Sequence, residues 1–247
     1  MLRLDRWLVT LGVGSRSEMQ KLIRKGGVKV DGAIVTDPGK QVDERTAQLM
    51  VQGAHVDGRL TRHVMLHKPA GLLTAARDRK QLTVMDLLPE SYAAIGCMPV
   101  GRLDKDTTGL LLLTTDGELN HRLLSPGRHV DKTYRATVDG ALTQAHIDAF
   151  AAGMHIPADG KEPEFDALPA ALTLEAPDVA VLTIHEGKFH QVKRMFRAVG
   201  REVVRLHRLT FGALALDEAL PEGAWRELTE EEVAALYADA QMEPGKR

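Results

Sequence analysis

The chain has 247 residues and a formal net charge of −2, enough for one large domain or for a small one beside a medium one. Its single cysteine, Cys97, excludes an intrachain disulfide and a cysteine-built zinc site. No apolar run approaches a membrane span, and Met1–Arg6 lacks the apolar core of a signal peptide, which predicts a soluble cytosolic protein without a membrane partner. The near-neutral sum hides a lopsided distribution. Residues 1–30 and 186–208 each carry seven Lys/Arg against two Asp/Glu, and residues 217–247 carry nine acids against three basic residues. Two separate basic segments suggest a polyanion footprint.

Leu4, Trp7, Leu8 and Leu11 recur at helical spacing and predict a first helix ending near Gly12 and Gly14. Ser15 and Glu18 have capping-box spacing and open a second helix, with Met19, Leu22 and Ile23 as its apolar stripe and Gly26-Gly27 as its stop. Arg16, Lys21, Arg24 and Lys25 fall on the half-cylinder opposite that stripe. Val28–Val30 and Ile34-Val35 flank Asp31-Gly32, a two-residue hairpin signal. This order of helices and strands resembles the S-four RNA-binding domain, and the resemblance implies that the basic helix contacts phosphates of structured RNA. Aromatic residues make up only 4% of the chain, so base-stacking platforms are not expected as the main mode of binding. The two glycines of Gly53–Arg59 place a linker over 54–61, separating a domain over 1–53 from a catalytic domain over 62–236.

In the larger region, short strands and helices in mixed order predict an α+β domain with a mainly antiparallel mixed sheet and a central cleft. Met65–Lys68 reads as a strand entering a Pro-Ala-Gly turn. The most informative stretch is Pro99-Val100-Gly101-Arg102-Leu103-Asp104, which runs into the buried strand Leu110–Leu113. It sets one acid at the point where turn becomes strand. Arg128 and His129 fall on a surface loop after Ser125-Pro126-Gly127. Along Lys132–Val138, alternation puts Tyr134, Ala136 and Val138 on one face and Thr133, Arg135 and Thr137 on the other. Glu186-Gly187-Lys188-Phe189-His190-Gln191 opens a helix striped by Val192, Met195, Phe196 and Val199, with Lys193 at its border and Arg194, Arg197 and Arg201 opposite.

GRLDKDTTGLLLLTTDG, the Lys132-Thr133-Tyr134 triplet and EGKFHQVKRMF together resemble the pseudouridine synthases of the RsuA type across nearly the whole chain. His67 departs from the Asn often found before Lys-Pro in that family. The resemblance implies isomerisation of a uridine within RNA, with no cofactor and no metal. It makes Asp104 the essential carboxylate, either as nucleophile at C1′ or as the base that generates a glycal. It sets Tyr134 against the uracil and pairs Lys193 with Asp104. A cation there would balance the charge that either route requires and fix the carboxylate's direction. Arg102 is the next candidate, as a contact to the flipped nucleotide or its phosphate. Arg16, Lys21, Arg24, Lys25, Arg128 and Arg194 complete the expected RNA contacts. The resemblance favours 16S rRNA within a small-subunit assembly intermediate as partner, over a 23S target or an assembly factor that only binds. A monomer is expected because no association seam is visible.

Three other chemistries are set aside. His185 and His190 are five residues apart where a zinc-protease helix needs four. Asp106-Thr107-Thr108-Gly109 lacks the second copy that a carboxylate dyad requires, and no phosphate-binding Gly-Lys-Ser/Thr loop is present. Thr229 and Glu232 cap a last helix, followed by a tail over 237–247 that is expected to be loose after Met242.

Overall fold

A computed structural model describes residues 1–243. The chain divides into two units, one of Met1–Arg62 with Leu88–Met98, the other of His63–Leu87 with the residues from Pro99 onward.

In the first unit, α1 (Leu4–Thr10) and α2 (Arg16–Arg24) follow the predicted spacing, and the Ser15–Glu18 capping box forms in both directions. Trp7, Leu8, Met19 and Ile23 are buried in one core with Val28, Val30 and Leu49. Strands β1 (Val28–Val30), β2 (Ala33–Ile34), β3 (Leu49–Val51) and β4 (Ala54–Val56) form an antiparallel sheet in the order β2-β1-β3-β4. Asp31 and Gly32 both adopt positive φ, as a primed two-residue turn requires.

The same turn chemistry corrects the expected linker. Gln52 and Gly53 also have positive φ and close a second hairpin, so residues 54–56 are an edge strand. Residues 57–62 are tied down too, with Trp7 Nε1 donating to Gly58 O at 2.8 Å and the Arg62 guanidinium 5.7 Å from the Tyr92 ring centre. Tyr92 lies on α3 (Glu90–Ala94), in a segment that the sequence assigned to the larger domain; Ile95 just after it packs on the first unit's core.

The second unit is built on β5 (His63–Lys68), β6 (Thr108–Thr114), β7 (Lys132–Val138), β8 (Ala171–Ala176), β9 (Val179–Ile184), β10 (Val203–Phe211) and β11 (Trp225–Glu227), ordered β8-β9-β7-β10-β6-β5-β11. Every neighbouring pair in this path is antiparallel except β10 and β6. Residues of β6 are buried as the unbroken apolar run predicts, and β7 alternates, with Tyr134, Ala136 and Val138 buried. Helix α4 (Gly117–Leu124) is capped by Asp116 and packs Leu119 and Leu123 on Leu110 and Leu112 of β6. Phe150 of α5 (Gln144–Ala152) meets Phe196 of α6 (Gln191–Ala198) at 4.9 Å between ring centres.

The last helix, α7 (Glu230–Asp239), starts at the expected Thr229 capping box but overruns the expected boundary at 236. Tyr237 is buried and its hydroxyl donates to Asp116 Oδ2 at 2.8 Å, and Ala240 is fully buried, so the start of the expected tail belongs to the core. The loose segment expected after Met242 lies, apart from Glu243, outside the described residues. Among the described residues no helix is long and apolar enough to cross a membrane.

Candidate active site

Residues 101–107 form a loop that leads into β6, and its backbone is held from several directions. Thr74 Oγ1 donates to Leu103 O at 2.8 Å and accepts from Leu103 N at 3.2 Å. Gly71 N donates to Lys105 O at 2.7 Å. Lys68, at the end of β5 and fully buried, points its ammonium at the oxygens of Pro69, Lys105 and Thr107 at 3.0, 3.3 and 2.9 Å. Burial lowers the Lys68 pKa to about 8, against the pull of Asp106 and Asp104. Among the described residues no carboxylate forms an ion pair with this ammonium; it serves as a three-way clamp on carbonyls.

The loop is also fixed from below. Gly109 faces Arg208 across the parallel pair, and a Cβ at Gly109 would lie 2.3 Å from Arg208 O. With φ of 103° as well, the position admits glycine alone without a shift of one strand.

These constraints aim Asp104 at α6. Asp104 Oδ2 lies 3.1 Å from Lys193 Nζ, as the sequence leads one to expect. Two further side chains join this pair. Lys193 also donates to Asp106 Oδ1 at 2.6 Å, and His190 Nε2 stands 3.4 Å from Asp104 Oδ1. Burial works to lower the Lys193 pKa, but Asp106 and Asp104 outweigh it and the pKa is raised, so the ammonium keeps its charge. Burial likewise works to raise the pKa of Asp106, and the hydrogen bond and charge of Lys193, joined by the backbone N–H of Asp106 itself, together outweigh it, leaving the pKa lowered. Lys193 is therefore shared between a largely exposed acid and a partly buried one: the side chain of Asp106 is 74% exposed and that of Asp104 27%.

One cleft is lined by Arg102, Asp104, Tyr134, His190 and Lys193, with Ile184, Val192 and Leu206 as its apolar wall. Four of the expected site residues are thus brought together. One other is placed differently. Arg194, expected on the outer face of α6, is 4% exposed; it donates to Pro157 O and Pro163 O at 2.8 and 2.7 Å and lies over the Phe165 ring. That correction follows from the neighbourhood of α6, where the segment 157–165 covers the face that a lone amphipathic helix would give to water. Arg128 sits in the turn Pro126–Arg128 and donates to Gln241, away from the cleft. In the first unit Arg16, Lys21, Arg24 and Lys25 are exposed as expected, with Arg16 also 3.8 Å from the buried Asp5.

The signal that could have found Asp106 was its position two residues after Asp104 in a turn, where both acids can reach one cation. Lys68 stands where a strand enters the Pro-Ala-Gly turn, but an isolated Lys-Pro in a sequence does not reveal burial.

Residues 62–198 match the family described as RNA pseudouridylate synthase, and residues 2–46 match the S4 domain. The chain belongs to the pseudouridine synthase family. This pseudouridine synthase is 44% identical over 239 residues to a Bacillus subtilis protein named uncharacterized RNA pseudouridine synthase YtzG, covering 95% of this chain and 98% of that one. It is 42% identical over 246 residues to ribosomal small subunit pseudouridine synthase A of Pseudomonas aeruginosa (95% and 100% covered). It is 38% identical over 239 residues to ribosomal large subunit pseudouridine synthase B of Bacillus subtilis (96% of each). A solved pseudouridylate synthase, 35% identical, superimposes with a TM-score of 0.66 over 96% of this chain and all of that one.

Proposed function

We propose that this pseudouridine synthase isomerises one uridine of small-subunit ribosomal RNA, with Asp104 as the single essential carboxylate and no cofactor. The observation that carries the reading is Asp104 itself, held on a clamped loop with one oxygen on Lys193, in the cleft that Tyr134 lines. The reaction needs a carboxylate that can reach the sugar while the glycosidic bond breaks, the uracil turns and C5 takes the place of N1 on C1′. Lys193 orients that carboxylate and balances its charge, and the apolar wall shields the freed base from water. Asp104 acts either as nucleophile at C1′ or as base toward a glycal, and both routes use the same geometry. Tyr134 packs on the uracil and assists removal of the C5 proton, while Arg102 contacts the flipped nucleotide.

The exposed cations of α2 supply the first unit's hold on phosphates. The name of the Pseudomonas relative supports a 16S target. We further read the substrate as RNA within an assembling small subunit, and the enzyme as a monomer of the cytoplasm. A 23S target is the second reading, favoured by the Bacillus relative named for the large subunit.

The deciding experiment is a pseudouridine map of 16S and 23S rRNA from cells lacking the protein, rescued with wild type or with Asp104→Asn. Loss of one 16S site, restored by wild type alone, is expected. A lost 23S site would move the target, and an unchanged map would refute ribosomal RNA as substrate.

A further inference from the structure

The turn Gly187–His190, between β9 and α6, is exposed throughout, yet fastened at its base. Lys188 N donates to Gln191 Oε1 at 3.0 Å, and Gln191 N returns a bond to Lys188 O at 3.1 Å. The buried Gln191 also donates to Glu186 Oε2 at 2.8 Å, which in turn accepts from Leu168 N at 3.0 Å. Lys188 Nζ reaches Asp166 O at 2.8 Å. On this anchored base the side chain of Phe189 is 52% exposed. Of the Phe, Tyr and Trp side chains among the described residues, it alone is exposed.

Phe189 does not stand alone on the surface. Its ring lies on that of His190, 3.8 Å between centres and 19° from parallel. His190 holds a φ of 48°, a conformation that disfavours a non-glycine residue, and its Nε2 edge lies 3.4 Å from Asp104 Oδ1. One end of the stacked pair therefore borders the reacting carboxylate, and the other is a ring about half exposed to solvent. A pinned turn that keeps a large apolar ring in water, in strained backbone beside the cleft, is built to receive something flat.

We propose that Phe189 and His190 form a stacking platform for the nucleobase next to the target uridine. The inference rests on the reading above that the cleft takes a uridine from RNA. Turning that uridine out of its stack costs a few kcal/mol and leaves its neighbour with an uncovered face. An aromatic ring beside the cleft covers that face, and base-on-aromatic stacking is tolerant of sequence. Lys188, which also lines the cleft, spends its charge on the base of the turn, with its ammonium 2.9 Å from Glu186 Oε1, so the ring itself is what the turn offers to RNA. The platform takes a nucleobase of either ring class, and target choice then depends on where the RNA can open.

The test uses the full-length enzyme and an rRNA fragment carrying the uridine identified by the map. Wild-type turnover on this fragment is measured first; its absence would count against the proposed substrate, independently of the platform. Phe189→Leu keeps apolar bulk without the π face, and Phe189→Trp restores the face. Loss of the face is expected to weaken RNA binding and raise KM about 5- to 100-fold, with kcat nearly unchanged and Trp recovering most of the loss. An abasic nucleotide is then placed immediately 5′ or 3′ of the uridine. The abasic substitution on the stacked side is expected to weaken binding to wild type but to add nothing in Phe189→Leu. Wild-type affinity in Phe189→Leu, or additive losses at both neighbouring positions, would overturn the platform.

Discussion

Residues 1–30 and 186–208 carry the same charge, seven basic residues against two acids, and the fold employs them in opposite ways. In the first segment Lys21, Arg24 and Lys25 stay in water, and Arg16 shares the exposed face. In the second, Lys193 is shared by two carboxylates, Arg197 pairs with Glu202 and Asp159, and Arg194 and Arg208 are buried on backbone carbonyls. A count of charge thus cannot tell a phosphate-binding surface from internal scaffolding. The difference lies in what packs above each helix.

The largest effect should come from Asp104→Asn, which keeps size and removes charge. Turnover is expected to fall by about 10⁴-fold or more with RNA affinity nearly intact, measured by single-turnover pseudouridine formation beside filter binding. Next is Lys193→Met, which leaves Asp104 and Asp106 facing each other without their shared cation. A loss of about 10²- to 10³-fold in kcat is expected, with Lys193→Arg recovering part of it; an unaltered kcat would show that the ion pair does not organise the site.

Lys68→Met should cost about 3 kcal/mol by urea denaturation, since it strands carbonyl oxygens of the loop. The same position gives a pH test. With its folded pKa at about 8 and its ordinary value at 10.5, Lys68 holds its proton more firmly in the unfolded chain. Its contribution to stability therefore rises between about pH 8 and 10.5. The difference in stability between wild type and Lys68→Met should carry that rise; a difference flat with pH would show that Lys68 does not titrate in this window.

The smallest effects separate the two basic segments. Arg194→Met is expected to cost about 2 kcal/mol in stability while leaving the salt dependence of RNA binding unchanged. Lys25→Gln should do the reverse, lowering the slope of log K against log salt by about 0.7 to 0.9 at unchanged stability. A changed salt slope in Arg194→Met would break the contrast between them.

Local signals carried much of this fold. The capping boxes at Ser15 and Thr229, the Asp31-Gly32 turn, the alternation around Tyr134 and the apolar run of β6 each depend on neighbours within a few residues, so the chain displays them. The pairing of Asp104 with Lys193 was legible only through the family's motifs, because no spacing connects residues so far apart. What stayed hidden is what packing decides. The burial of Arg194 depends on the segment 157–165, the burial of Lys68 on the loop it clamps, and the inclusion of Tyr237 on Asp116. Gln52-Gly53 shows the remaining ambiguity, since a glycine that marks a linker in sequence can equally close a hairpin.

The close approach at Gly109 makes the two halves of the site a single mechanical part. Asp104 enters on the loop before β6, while β10 is the strand that follows α6, the helix carrying Lys193. Their seam at Gly109 and Arg208 leaves no room for even a methyl group. A single added carbon there would act as a wedge, prising carboxylate and ammonium apart from beneath without touching either, and the enzyme could be silenced from a buried position outside the lining of the cleft.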